Sequence, residues 1–483
     1  MTTHDSTRHT LPEPTDRLSS DEHLQRNLSN RHIQLIALGG AIGTGLFMGS
    51  GKTIHLAGPS IMVVYMVIGT FMYFVMRAMG EMLLHNLKYK SFMDFSHDLI
   101  GPWAGYFAGW TYWVLWVVIA IGDMVVVTGY FDFWIKNIYV SMVCTVVLLT
   151  LLLITNLLTV RLFGEIEFWF AIIKIVAIVA LILVGTGMII GGFTSEGTRA
   201  SFAHIWDHGG IFPNGAGGFL AAFQIAIYSF IGTELIGTTA AETRDPNTTI
   251  PKAINAVPVR IIIFYVLALA VIMSITPWDQ VDPEMSPFVN VFNLVGLVAA
   301  AGVMNFVVLT SASSSSNSGI FSSSRMLFGL ADQQQAAPQF ARLSARSVPA
   351  RSLLLSGGLV YLFVPLLLAG GTVMEGFTLV SSVAATLILF MWSLIMVAYI
   401  RYYRTHRQAH ERAAYRLPGA AWVPYLVLAF FVFMVGVLCM EPDTRFALML
   451  TPVWFVILLI GWQVQKAGAA CEPSTADRPI AFR

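Results

Sequence analysis

The sequence predicts an all-α integral membrane protein of twelve transmembrane helices, on three observations. Of its 483 residues 56% are hydrophobic and only 11% charged, with a mean hydropathy of +0.71, so charges are too few to cover a soluble globule of this size. Twelve stretches suit the roughly 20 apolar residues that a helix needs to cross a bilayer. Basic residues fall almost entirely on alternate connections, the pattern left when cationic loops stay on the cytoplasmic side.

In chain order, residues 1–30 are polar, of mixed charge and poor in aromatics, as expected of a solvated cytoplasmic tail rather than a cleaved leader. Spans near 31–57, 59–85, 102–131, 138–159 and 164–191 form a first group of five over 31–191. A second group over 215–402 holds spans near 215–241, 254–276, 293–330, 352–370 and 376–402. Two further spans, near 422–440 and 446–465, occupy 422–465, and 466–483 is a second tail. The eighth span is long enough to tilt or to continue past the lipid. With the N-terminus in the cytoplasm and sides alternating, 22 basic residues lie inside and four outside: Lys52, Lys136, Arg199 and Arg445. Arg77 and Lys174 fall within spans. Both termini are therefore expected in the cytoplasm. The net charge of +1 gives no hint of nucleic-acid binding, and Cys144, Cys439 and Cys471 are too scattered for a disulfide framework.

The first span contains GTGLFMGSGKT, residues 43–53, which ends like a phosphate-binding loop. That loop needs glycine five places before the glycine of Gly-Lys-Ser/Thr, where this chain has Leu46, and it needs a preceding strand. Lys52 also lands on the outer side. A nucleotide cradle is thereby excluded. Six glycines between Gly39 and Gly51 instead suggest a helix that is broken or closely packed, since each costs up to about 1 kcal/mol in a helix interior relative to alanine.

The sixth span carries a matching irregularity, SFIGTELIGTT at 229–239, with Gly232, Gly237 and the intramembrane Glu234. Gly-interrupted segments at corresponding places in two halves are the best sequence pointer to a transporter's substrate site. Unwound helices expose N–H groups suited to a carboxylate and carbonyls suited to an amine, and a ligand with both ends is an amino acid. Thr44 and Gly45 would offer the carboxylate a hydroxyl and an N–H, and the carbonyls near Phe230 and Ile231 would accept from the amine, with Ala41, Gly43, Gly232 and Thr233 as candidates beside them.

The chain resembles the amino acid permeases of the amino acid–polyamine–organocation superfamily over nearly its whole length. The resemblance rests on NRHIQLIALGGAIGTGLFMGSGKTI at 30–54, AGPSIMVVYMVIGTFMYFVMRAMGE at 57–81, GEIEFWFAIIKIVAI at 164–178, AAETRDPNTTIPKAIN at 240–255 and NSGIFSSSRMLFGLA at 317–331. KSFMDF, GPWAGYF and SFAHIWDHGGIFPNG are most similar to the proton-coupled members that carry D-serine, D-alanine and glycine. The resemblance implies two inverted five-helix repeats plus two additional helices, with the substrate midway across the membrane. It places Gly43-Thr44-Gly45 at the carboxylate loop, Phe230-Ile231-Gly232 at the amine-facing break and Tyr228 at an aromatic gate.

Lys174 lies too deep in the fifth span to be an end anchor, and an ammonium there is expensive, which makes it a candidate to load and release a proton. The resemblance implies the same coupling role. Glu234 suits either a proton-linked gate or a cap for freed N–H groups, and Asp123, toward the outer part of the third span, is a possible polar contributor. Glu81 and Glu242 are expected to pair locally with Arg77 and Arg244. HIWDH at 204–208 is expected in an external loop without metal, because its glycine and proline neighbours argue against a helix. Nine serines between Ser311 and Ser324 are expected on the eighth span, where small hydroxyls allow close packing.

The expected function is import of a small neutral amino acid with a proton by alternating access, in a bacterial inner membrane. A family member for another neutral amino acid, or a sensor using the same fold, are the alternatives. No nucleophile and base pair stands out for an enzyme, and the sequence calls for no cofactor, metal, nucleic acid or obligate protein partner beyond substrate, protons and lipid.

Overall fold

The computed structural model describes residues 42–89, 91–195, 198–235, 237, 245–294, 298–440 and 442–471. Ala41, the 1–30 tail and the expected Glu242–Arg244 pair lie outside the described residues. After a bend at Ile42 and Gly43 come α1 (Thr44–Phe47) and α2 (Gly49–Ala57), separated by Met48 alone. A tight turn at Gly58–Ser60 leads into α3 (Ile61–His85). A connecting helix α4 (Phe92–Leu99) follows, opened by a capping box in which Ser91 and Asp94 satisfy each other's backbone N–H groups. Next are α5 (Pro102–Ile135), α6 (Ile138–Leu158) and α7 (Val160–Ile190). Asn137 caps α6 and Thr159 caps α7, so each long helix starts where a polar side chain can accept its first N–H groups.

A short hairpin, β1 (Thr194–Ser195) antiparallel to β2 (Thr198–Arg199), precedes the single turn α8 (His204–Asp207) and the helix α9 (Gly215–Tyr228). HIWDH thus does form one helical turn, contrary to expectation. Its two imidazoles meet edge to face with centroids 5.6 Å apart, and His208 Nδ1 lies 3.3 Å from Asp279. Helices α10 (Pro246–Asn255) and α11 (Val257–Arg260), a π-helical segment Ile261–Leu267, and α12 (Ala268–Ile275) make one nearly continuous run. The remaining helices are α13 (Pro287–Leu294), α14 (Val298–Asp332), α15 (Ala350–Val360), α16 (Phe363–Leu368), α17 (Val373–Thr405), α18 (Arg407–Arg412), α19 (Val423–Met440) and α20 (Pro442–Cys471).

Nine runs among the described residues are long and apolar enough to cross a membrane. The first two expected spans run together as Gly49–His85 around the Gly58 turn, the sixth is 14 residues long up to its break after Tyr228, and the first, sixth and eighth expected spans extend into residues outside the described ones.

The bundle is built around α5, against which both α14 and α17 pack extensively, while α6, α7 and α20 turn apolar side chains such as Val147, Leu183 and Met449 outward. Small residues permit the central crossings: a Cβ on Gly122 would come within 2.6 Å of Val380, and one on Gly319 within 2.9 Å of Trp116. Hydroxyls and indoles link helices elsewhere, as in Trp113 Nε1 to Ser356 Oγ at 2.9 Å and Trp454 Nε1 to Thr111 Oγ1 at 3.2 Å.

Glu81 does not pair with Arg77. Its buried carboxylate accepts from Tyr399 Oη (2.7 Å), from His410 Nδ1 (2.6 Å) and from the Leu417 N–H (2.7 Å). Arg77 donates to the Arg416 carbonyl and Asn255 Oδ1, both at 2.9 Å, and its guanidinium lies 3.8 Å from the centroid of the Tyr415 ring. The segment after α17 folds over this end of α3 and supplies better-placed partners than the neighbouring turn of the helix. A Tyr399→Phe variant removes one donor to a buried carboxylate, a bond worth about 1.5–3 kcal/mol. Its unfolding midpoint in detergent is expected below that of the parent; an unchanged midpoint would show that Tyr399 adds nothing to this contact.

Candidate functional site

The two glycine-rich irregularities meet. Gly43, extended at φ −122° and ψ −164°, caps the start of α1, with no side-chain hydrogen bond to that helix end. Gly45 faces the other break so closely that a Cβ there would sit 2.7 Å from Ser229 Cα and 2.8 Å from Ser229 N. Gly49 meets Ile225 on α9 in the same way. The glycines of α1 and α2 therefore divide their work: Gly45 and Gly49 allow close packing, whereas Gly43, whose nearest neighbour would be Ser315 Oγ at 3.8 Å, marks the helix start.

On the opposite side of this junction, α9 ends at Tyr228, and residues 229–234 run in successive tight turns, with Phe230 N–H bonded to the Ile227 carbonyl and Ile231 N–H to that of Tyr228, both at 3.1 Å. Gly232 takes φ +100°, a region that L side chains rarely adopt. The Gly232 N–H points at Glu234, 3.2 and 3.1 Å from its two carboxylate oxygens, so Glu234 acts as a cap for the unwound backbone. Tyr112 Oη donates to the same carboxylate at 3.4 Å. Thr233 directs both its N–H and its hydroxyl to the Phe230 carbonyl, at 3.3 and 2.9 Å, which engages that oxygen within the turn. Tyr265 holds the break from behind, donating to the Ser229 carbonyl at 2.7 Å and stacking on Phe230 with centroids 5.3 Å apart.

Two charged side chains flank the first break. Thr44 Oγ1 donates to Asp123 Oδ1 at 2.7 Å; Asp123 is fully buried mid-helix in α5, and its Oδ2 has no hydrogen-bond partner among the described residues. Lys174 Nζ donates to the Ile42 carbonyl at 3.1 Å and to Ser314 Oγ at 3.2 Å. Ser311 Oγ shares the Ile42 carbonyl at 3.0 Å. Residues 42–44 are thus bracketed by a cation at one end and a carboxylate at the other. Tyr228 covers the junction, its ring edge to face with Phe377 at 5.4 Å, and its buried hydroxyl has no partner among the described residues.

Sequence reasoning missed Glu167. It lies on α7 two turns from Lys174, buried, and accepts from Ser314 Oγ at 2.6 Å and from Asn317 Nδ2 at 2.7 Å. The signal was present in GEIEFWFAIIKIVAI, since positions seven apart share a helix face. The serines of α14 supply this side of the site through Ser311 and Ser314, while Ser313, Ser323 and Ser324 bond back to carbonyls of their own helix.

Among the described residues no group of three or more His, Cys, Asp or Glu side chains is arranged to hold a metal ion. The site is one of helix ends, hydroxyls and a few buried charges.

Comparison with known proteins agrees with this architecture. The amino acid permease family model matches residues 32–468. The D-serine/D-alanine/glycine transporter of Escherichia coli (strain K12) is 56% identical over 453 residues, covering 92% of this chain and 95% of that protein. The uncharacterized transporter YdgF of Bacillus subtilis (strain 168) is 46% identical over 94% of this chain and 99% of its own. The amino-acid permease AapA of the same organism is 45% identical over 93% and 97%. Two apolar helices broken against each other around buried charges, together with these full-length matches, identify the chain as a multi-pass membrane protein that belongs to the amino acid permease family.

Proposed function

We propose that this protein is a secondary active transporter that imports D-alanine, D-serine and glycine by proton symport with alternating access. The observation that carries the proposal is the junction of the two breaks, with residues 42–45 held between Lys174 and Asp123 and packed on Ser229. The substrate class is supported by the E. coli relative, 56% identical across nearly the full length of both chains.

In this reading the N–H groups of Gly43, Thr44 and Gly45 receive the substrate carboxylate, favoured by the positive end of α1. The amine faces the break at 230–232, where Ile231 offers the carbonyl, since that of Phe230 is engaged by Thr233. Thr233 borders the pocket. Tyr228 closes it on one side, and Asp123, with one oxygen on Thr44, has a second oxygen available to the amine or to water. Proton coupling is assigned to Lys174, with Glu234 as the second candidate. Because the Ile42 carbonyl receives the Lys174 ammonium directly, loss of a proton there weakens the hold on the backbone that receives the carboxylate, linking protonation to substrate release. The frame is twelve spans, arranged as two inverted repeats of five plus two, with both termini in the cytoplasm of a bacterial inner membrane.

Uptake of radiolabelled glycine, D-alanine, D-serine and L-alanine into proteoliposomes, with and without an inward proton gradient, tests this. Gradient-driven accumulation of the first three, with L-alanine poor, is expected. Failure to accumulate any of them removes the transport assignment; equal use of L-alanine removes the stereochemical one.

A further inference from the structure

We propose that Glu167 is the proton acceptor for Lys174, with the Ser314 hydroxyl as the relay between them, so that a charge outside the substrate pocket carries the transported proton onward. The inference rests on the proton-symport reading above.

The donor order along the chain of contacts is what singles it out. Lys174 Nζ donates to Ser314 Oγ at 3.2 Å, and Ser314 Oγ donates to Glu167 Oε2 at 2.6 Å. A concerted shift breaks one Nζ–H bond and forms an Oγ–H bond, while the former Oγ–H bond breaks and an Oε2–H bond forms. The ammonium becomes an amine, the carboxylate a carboxylic acid, and the serine is unchanged in composition. The serine resets when the proton leaves Glu167. The other carboxylate oxygen is fixed by Asn317 Nδ2 at 2.7 Å, and Asn317 Oδ1 is fixed in turn by Asn156 Nδ2 at 2.6 Å, which itself also bonds the Leu152 carbonyl of α6. An oxygen so held can accept that amide bond in either protonation state.

The direction of travel follows from position. Thr44 ties Asp123 to the broken backbone, whereas Glu167 lies about 10 Å from Lys174 along α7 toward Val160, at a rise of about 1.5 Å per residue. Among the described residues, Lys174 is the charged group that faces Glu167, and Asp123 on α5 is a second carboxylate close to Lys174. Helix α14 contributes the neutral Ser314, Asn317 and Ser318, and α6 the neutral Asn156. A purely structural ion pair has no need of a hydroxyl interposed with its donor directed away from the cation, since direct contact would be stronger.

The test separates coupling from binding in one preparation of reconstituted full-length protein. In Glu167→Gln, exchange of external against internal glycine is expected within about twofold of the parent. Accumulation driven by a proton gradient is expected to fall at least tenfold, with a flattened pH profile, and Glu167→Asp is expected to restore part of both. Ser314→Ala, which keeps both charges, is likewise expected to lose gradient-driven accumulation and to flatten the pH profile, and decides the matter if Glu167→Gln does not fold. Gradient-driven accumulation with the parental pH profile in whichever of these variants folds overturns the relay. Absence of gradient-driven uptake by the parent protein overturns proton symport itself, and the relay with it.

Discussion

A Lys174→Ala variant is expected to lose accumulation of substrate against its gradient, by at least tenfold, together with the pH dependence of uptake. Among the described residues two hydrogen bonds disappear with the ammonium: the one to the Ile42 carbonyl, which steadies the backbone before Thr44, and the one to Ser314. The buried Glu167 and Asp123 then lack their shared cation, and stranding a buried charge in this way costs about 3–5 kcal/mol. A lower unfolding midpoint should therefore accompany the transport defect. Proteoliposome uptake across a range of pH measures the first effect and thermal unfolding in detergent the second. A variant that still concentrates substrate with the parental pH profile would take Lys174 out of the coupling scheme.

The second large effect is expected from the smallest change. Gly45→Ala adds one methyl group where Ser229 Cα stands 2.7 Å away, so backbone must move on one side or the other. Overpacking of this kind costs about 1–3 kcal/mol, and here the displaced backbone is the junction assigned to the substrate. Uptake is expected to fall more than tenfold, with a lower unfolding midpoint. Gly43→Ala is the control: its φ of −122° suits any residue and its nearest neighbour would be 3.8 Å away, so stability should hold even where substrate affinity drops. Equal transport by Gly45→Ala and the parent would mean that the two breaks do not need their close approach.

Helical spans were legible because hydropathy and length are local properties of the chain. The breaks were legible too, since Gly43, Gly45 and Gly232 stand out within otherwise apolar runs. What each glycine does was not, because Gly45 is explained by Ser229, which lies 184 positions further along the chain, by subtraction of the two residue numbers. Glu81 illustrates the same limit: Arg77, one turn away, was the natural partner by sequence, but the carboxylate is claimed by Tyr399, His410 and Leu417. The helix α4 announced itself through Ser91 and Asp94 three places apart, a signal that the hydropathy pattern did not register. Glu167 sat in plain view two turns from Lys174, yet the serine that joins them comes from another helix.

The π-helical segment Ile261–Leu267 has a consequence for the break at 229–232. A π turn holds more residues than an α turn, so it alters the angular phase of everything around it. Tyr265 sits within that segment, and in the phase so set its hydroxyl reaches the Ser229 carbonyl. Removing one residue between 261 and 267 would return the helix to α register and swing Tyr265 by about 100°. The height and shape of the break in α9 are therefore gauged by how many residues its neighbour carries, independently of which residues line the break itself.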